Sequence, residues 1–188
     1  MTQTVLALDV SGKPHAWLSL EDAITYYAKD QVAWTLGKEL ATLRGGFRRV
    51  DGTRSEITTS SIIAIKGDGF SPKKYRDVPL SNRTLFGRDR YVCAYCGKQH
   101  ALKECSREHI VPVSKGGPDT WMNVVTACRR CNHHKGAKTL EQANMELLYV
   151  PYVPNHSEEM ILRNRSILAD QMDYLIATVP KHSRLLLS

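Results

Sequence analysis

Short apolar runs separated by turn residues dominate the first third of the chain, a pattern that predicts a small mixed α/β unit. Val5-Leu6-Ala7-Leu8-Asp9-Val10 predicts a strand, Ser11-Gly12-Lys13-Pro14 a turn, and residues 16–18 a second short strand. Ser19, or a residue beside it, is the expected cap of a helix over Glu21–Ala28, with Ala23, Ile24 and Tyr27 on one face. Val32–Thr35 predicts another strand, and residues 44–56, with Gly45-Gly46 and Asp51-Gly52, an irregular or hairpin region. Ser60–Lys66 is β-branched and apolar, a strand that ends at Gly67-Asp68-Gly69. Ser81 is a good N-cap for a short helix reaching about Asp89, and Thr139-x-x-Gln142 has the form of a capping box. From Ser157 to about Ala177, Ile161, Leu168, Met172, Leu175 and Ile176 recur at helical spacing, which predicts one long helix. The divisions that follow are a mixed α/β region over 1–80, a central domain over 81–150 and a C-terminal helical extension over 151–188.

Charge sharpens this division. Residues 1–80 hold 11 Lys/Arg against 9 Asp/Glu, residues 81–138 hold 11 against 4, and residues 139–188 hold 4 against 6. The whole net charge of +7 is therefore concentrated on the central segment, which points to an acidic partner there. Lys73-Lys74-Tyr75-Arg76 is a further short basic run, equally consistent with a solvated surface. No run approaches the roughly 18 apolar residues a membrane span needs, and the expected compartment is the cytoplasm.

The central segment also carries the chemistry. Cys93/Cys96 and Cys128/Cys131 form two Cys-x-x-Cys pairs. Each two-residue gap lets a tight knuckle aim both thiolates at one ion, and two knuckles complete a closed tetrahedral zinc site of the structural kind. Cys105, the fifth cysteine, is expected to be a small semi-buried residue. Between the knuckles, Glu108-His109 precedes Ile110-Val111-Pro112-Val113, which predicts a ribbon turning at Gly116-Gly117, and Asn123–Cys128 is expected to start a helix carrying the second knuckle.

The segments EHIVPVSKGG and NVVTACRRCNHHKGAKT resemble the HNH endonucleases, in the subgroup whose fold is stapled by a four-cysteine zinc. The resemblance covers residues 93–139 closely, and VPLSNRTLFGRDRYVCAYCG before it resembles the flank of a bacterial HNH group more loosely. It implies an α+β fold: a ββα-metal nuclease module with its zinc site, preceded by a small strand-rich α/β region and followed by a C-terminal helix. It implies that His109 is the general base, that Glu108, where the family usually has Asp, binds a catalytic Mg²⁺ or Mn²⁺, and that Asn123 positions the base and its loop. Asn132 stands where the family has its second ligand to that cation, an HNN variant, and His133 or His134 is the alternative ligand. Lys135 and the arginines Arg83, Arg88, Arg90, Arg129 and Arg130 are the expected phosphate contacts. The implied substrate is DNA, double-stranded, with room for a homodimer. A non-catalytic zinc-stapled nucleic-acid-binding module and a nuclease acting on RNA are the competing readings.

Overall fold

A computed structural model describes residues 3–67 and 78–186, so the basic run Lys73–Arg76 and the end of the Gly67-Asp68-Gly69 turn lie outside the described residues. The fold is α+β and divides into two compact units. The first contains residues 1–77 and 164–178, the second residues 78–163 and 179–188. The C-terminal stretch is thus shared between the units, and the single helix expected there is two helices. The break has a local cause: the Asn164 side chain accepts from Ser166 N at 3.0 Å and donates to Thr4 Oγ1 at 3.0 Å, a turn that competes with continued helix.

In the first unit, β1 (Thr4–Asp9), β2 (Pro14–Ser19), β3 (Val32–Phe47) and β4 (Arg54–Ile65) form one sheet in the order β2-β1-β4-β3. β1 and β4 pair in parallel at its centre, and the other neighbours are antiparallel. Helix α1 (Leu20–Ala28), capped by the Ser19 side chain, covers one face, where Val5, Ala7, Ala23, Ile63 and Ile65 are buried together. The alternate residues Leu6, Leu8, Ile62 and Ala64 are just as buried on the opposite face. Helix α6 (Ala169–Ile176) belongs to this unit as well, and its Gln171 side chain donates to Thr4 O and Ser61 O at 2.8 Å each. Burial on both faces explains why β1 and the end of β4 are continuous apolar runs and not alternating ones.

In the second unit, α2 (Asn82–Arg88) carries a Ser81/Thr84 capping box and leads to the first knuckle. β5 (Cys105–His109) and β6 (Val124–Cys128) pair antiparallel, and α3 (Arg129–Lys135) follows β6 directly. Residues 124–128 are therefore a strand and the helix begins only at Arg129, because β6 pairs along all of β5 with every residue buried. α4 (Leu140–Ala143), with its Thr139/Gln142 capping box, and α5 (His156–Arg163) complete the unit. No helix among the described residues is long and apolar enough to cross a membrane.

Arg88 is part of this core and not of the surface. It is fully buried, paired with the equally buried Asp89 at 2.8 Å, and its guanidinium donates to Trp121 O, Val124 O and Tyr152 O at 2.8–3.0 Å. Asp89 in turn accepts from Thr126 N at 2.7 Å. With every donor aimed inward, Arg88 cannot contact phosphate as its charge alone suggested. Arg88→Met is expected to lower the unfolding free energy of the second unit by about 3–5 kcal/mol, since it strands a buried carboxylate and three carbonyls. Urea titration followed by tryptophan fluorescence measures this; a loss below about 1 kcal/mol would show that the pair is replaceable packing.

Candidate active site

The cysteine knuckles are built by local turn geometry. Gly97, at φ +70°, closes the first by donating its N–H to Cys93 O, while Cys93 N bonds to Lys98 O. The second forms where β6 ends: Cys128 caps α3, its sulfur accepting from Cys131 N at 3.5 Å. The ligand atoms of Cys93, Cys96, Cys128 and Cys131 all lie within 4.8 Å of one another. Sulfurs at tetrahedral zinc stand about 3.8 Å apart, so the group is the right size to close on one ion. The donor set agrees. Burial, then the Cys128 and Cys93 sulfurs, push the Cys131 thiol strongly upward, and a cation among the sulfurs is what would hold them as thiolates. Cys105 stays outside this group, half-buried, with its sulfur toward His100 O.

Glu108 and His109 end β5 opposite Val125 and Val124, the first side chain meeting Lys135 of α3 and the second the loop that carries Asp119. Glu108 is buried, and its Oε1 accepts from Lys135 Nζ at 2.7 Å. Burial pushes its carboxyl up, against the pull of the Lys135 bond and charge. Lys135 also donates to His109 O at 2.8 Å and is itself fully buried, so it serves the hairpin instead of a phosphate. One turn earlier on α3, the Asn132 amide donates to Ser106 Oγ at 2.9 Å and Arg107 O at 3.3 Å. Glu108 Oε2 and Asn132 Oδ1 accept nothing from the described residues, leaving one carboxylate and one amide oxygen for a hard cation.

Asn123 fastens the loop between the strands. Its Oδ1 accepts from Val111 N at 2.9 Å, and its Nδ2 donates to Val111 O at 3.1 Å and Pro118 O at 2.8 Å. The loop is so tight that a Cβ on Gly117 would lie 1.8 Å from Val111 O, which only glycine avoids.

Two residues that the sequence reading did not single out complete the constellation. His109 Nε2 lies 3.0 Å from Asp119 Oδ1, and Arg107 Nη1 donates to Asp119 Oδ2 at 2.6 Å. Arg107 is itself steadied by Asn82 Oδ1 at 2.9 Å. Burial nudges the Asp119 carboxyl up, but the bonds from Arg107 and His109 outweigh it and hold it below the ordinary range. Arg107 was findable in principle, because it sits two residues before His109 and so on the same strand face. Asp119 lies in an aperiodic loop and carries no such signal.

The remaining basic positions divide by exposure. Arg83, Arg129 and Arg130 are exposed and Arg90 is half-buried, although Arg83 also donates to Arg163 O at 3.0 Å. His133 and His134 line a groove of about 920 Å³ together with Lys98, Arg129, Arg130 and Cys96.

Residues 93–148 match the family described as HNH endonuclease. A 50-residue stretch is 40% identical to the CRISPR-associated endonuclease Cas9 of Corynebacterium diphtheriae, covering 26% of this chain and 5% of that protein. The likeness to that much larger relative is therefore one of a segment, not of a whole architecture. Residues 93–148, which include the four grouped sulfurs, are thus similar to the HNH endonuclease family.

Proposed function

We propose that the chain is a divalent-metal-dependent endonuclease that hydrolyses phosphodiester bonds in double-stranded DNA. The observation that carries the reading is the anchored imidazole of His109. A carboxylate only accepts, so the Nε2 that faces Asp119 bears the proton and Nδ1 keeps its lone pair in the neutral ring. Nδ1 then takes a proton from water as the water oxygen attacks phosphorus, the bond from phosphorus to the 3′ oxygen breaks, and that oxygen takes a proton from solvent water. The products are a 5′-phosphate and a 3′-hydroxyl. Asp119 stabilises the imidazolium that forms, and Arg107 keeps Asp119 in place. Asn123 holds Pro118 O, the residue beside Asp119, so the loop presents its carboxylate at a fixed height.

Glu108 and Asn132 would hold Mg²⁺ or Mn²⁺, which supplies positive charge to the phosphate oxygens and the departing 3′ oxygen when bound. Lys135 steadies Glu108 from the side away from its free oxygen. Arg83, Arg129 and Arg130 supply exposed charge for the phosphate backbone.

The test is a digest of supercoiled plasmid, and of RNA in parallel, by the zinc-loaded chain with added Mg²⁺ or Mn²⁺. Cut plasmid that depends on the cation, with the RNA intact, is the expected outcome; nicked circles indicate single sites and linear product two sites acting together. Binding without strand breaks supports instead the non-catalytic module, for which the basic groove beside the cysteines is the specific observation. Preferential loss of the RNA moves the substrate assignment to RNA.

A further inference from the structure

The β3–β4 hairpin of the first unit is longer than its sheet requires. β1 pairs with β4 only from Ile62 to Ile65, whereas β3 and β4 stay paired out to Phe47 and Arg54. Within the sheet, residues 54–61 of β4 pair only with β3; Thr59 and Ser61 are still buried, and beyond them residues 54–58 continue with β3 as an exposed ribbon about 17 Å long at roughly 3.3 Å per residue.

One face and the tip of this ribbon hold a particular residue set. Opposed residues share a face, and the contacts along it agree: Thr42 and Thr58 hydroxyls at 3.0 Å, Arg44 with Glu56 at 2.9 Å, and the Arg54 guanidinium 5.6 Å from the Phe47 ring centre. Beyond Phe47 the turn carries Arg48, Arg49 and Val50. Phe47 is 72% exposed and Val50 99%. Asp51, the one carboxylate in 44–54, is turned to Thr53 N and Oγ1 at 3.0 and 2.7 Å, and Glu56 is engaged by Arg44. The Arg48 and Arg49 guanidiniums meet no carboxylate among the described residues. A lone exposed valine needs no explanation. Two guanidiniums that meet no carboxylate, a third over an exposed ring with its Nε donating to Gly45 O at 3.1 Å, and an aliphatic tip are another matter, since they combine phosphate contacts with apolar groups that press on base edges.

The shape selects the partner. A two-stranded ribbon fits the roughly 12 Å major groove of B-form DNA and does not enter the deep, narrow groove of an RNA duplex. Pairing with another protein strand is opposed by four register shifts along β3, the outer strand, which spoil its edge for β-addition. We infer that Phe47–Arg54 is a duplex-DNA-binding arm: Arg48, Arg49 and Arg54 on phosphates, Phe47 and Val50 in the groove. The inference rests on the nuclease reading only for the class of ligand.

The test is anisotropy of a labelled duplex of about 30 base pairs with the zinc-loaded full chain, without added Mg²⁺, across roughly 50–200 mM salt. Arg48→Ser, Arg49→Ser and Arg54→Ser combined are expected to weaken binding at least about tenfold and to reduce the slope of log affinity against log salt by about 2–3. Phe47→Ser with Val50→Ser should weaken binding several-fold and leave the slope unchanged. The same three arginines changed to lysine should keep the slope, and all variants should retain the wild-type circular-dichroism melt because the tip lies outside the core. Unchanged affinity and slope in the serine triple overturn the arm and leave plasmid cleavage, measured alongside, to stand by itself. Wild-type protein that binds through the tip but cuts nothing keeps the arm and sinks the nuclease reading. Tighter tip-dependent binding to an RNA strand than to the duplex overturns the duplex assignment.

Discussion

His109→Ala is expected to slow plasmid cleavage by about 10²–10⁴-fold, the range a positioned general base supplies, while zinc content and melting temperature stay at wild-type values. The site gives a reason for so specific a loss. The imidazole is tied at Nε2 to Asp119, and its side chain is only 22% exposed, so the ring is held in one place. Its backbone carbonyl is what holds Lys135, and alanine keeps that bond. Asp119→Asn in the same assay should cost less, roughly tenfold. The amide can still meet the ring but permits the wrong tautomer, and at 52% exposure water shares the work of stabilising the imidazolium. Wild-type rates in His109→Ala would remove His109 as the base. Wild-type rates in Asp119→Asn alone would leave the base standing without its orienting partner.

What the sequence disclosed and what it hid follow from one distinction. Features set by residues within four positions of each other were readable: the Ser19, Ser81 and Thr139 caps, the knuckle spacing, and the apolar runs of β1 and the end of β4. Features set by distant partners were not. β3 extends twelve residues past Thr35, to Phe47, across a bulge at Gly37 and Lys38 that has no strand pattern: Gly37 sits at φ +81°, Lys38 N donates to Ser61 Oγ and Asp170 Oδ2, and pairing with β4 resumes at Glu39. Residues 124–128 form a short apolar run that suits helix or strand, and only β5 decides it. Charge misled for the same reason. Arg88 and Lys135 look like surface cations in sequence, but Asp89 and three carbonyls claim the first, and Glu108 with His109 O the second. The approach of Asp119 to His109 depends on a loop folded by Asn123, and nothing within a few residues of Asp119 announces it.

Removing the zinc is expected to have the largest effect of all, and to have it in one unit. The β5–β6 hairpin is two strands of five residues, too little to be stable alone, and Cys128 ends β6, pairs with Cys105 and caps α3. Structural zinc at such sites is worth about 10–16 kcal/mol in isolated fingers, more than the whole stability of most domains. The first unit has no part in this: its sheet is closed by α1 and α6 around Val5–Leu8 and Ile62–Ile65, and no cysteine lies within it. Chelation, or Cys128→Ala, should therefore abolish amide protection in residues 124–128 while residues 5–8 and 62–65 remain protected. Hydrogen exchange read by mass spectrometry, with zinc counted by plasma emission, makes the comparison. One zinc per chain lost together with protection in 124–128 is the expected result. Protection that survives stoichiometric loss of the ion would mean that Arg88, Asp89 and the apolar cluster of Leu85, Phe86, Trp121 and Val124 hold the hairpin unaided, and that the sulfurs are a passenger on a fold made by other contacts.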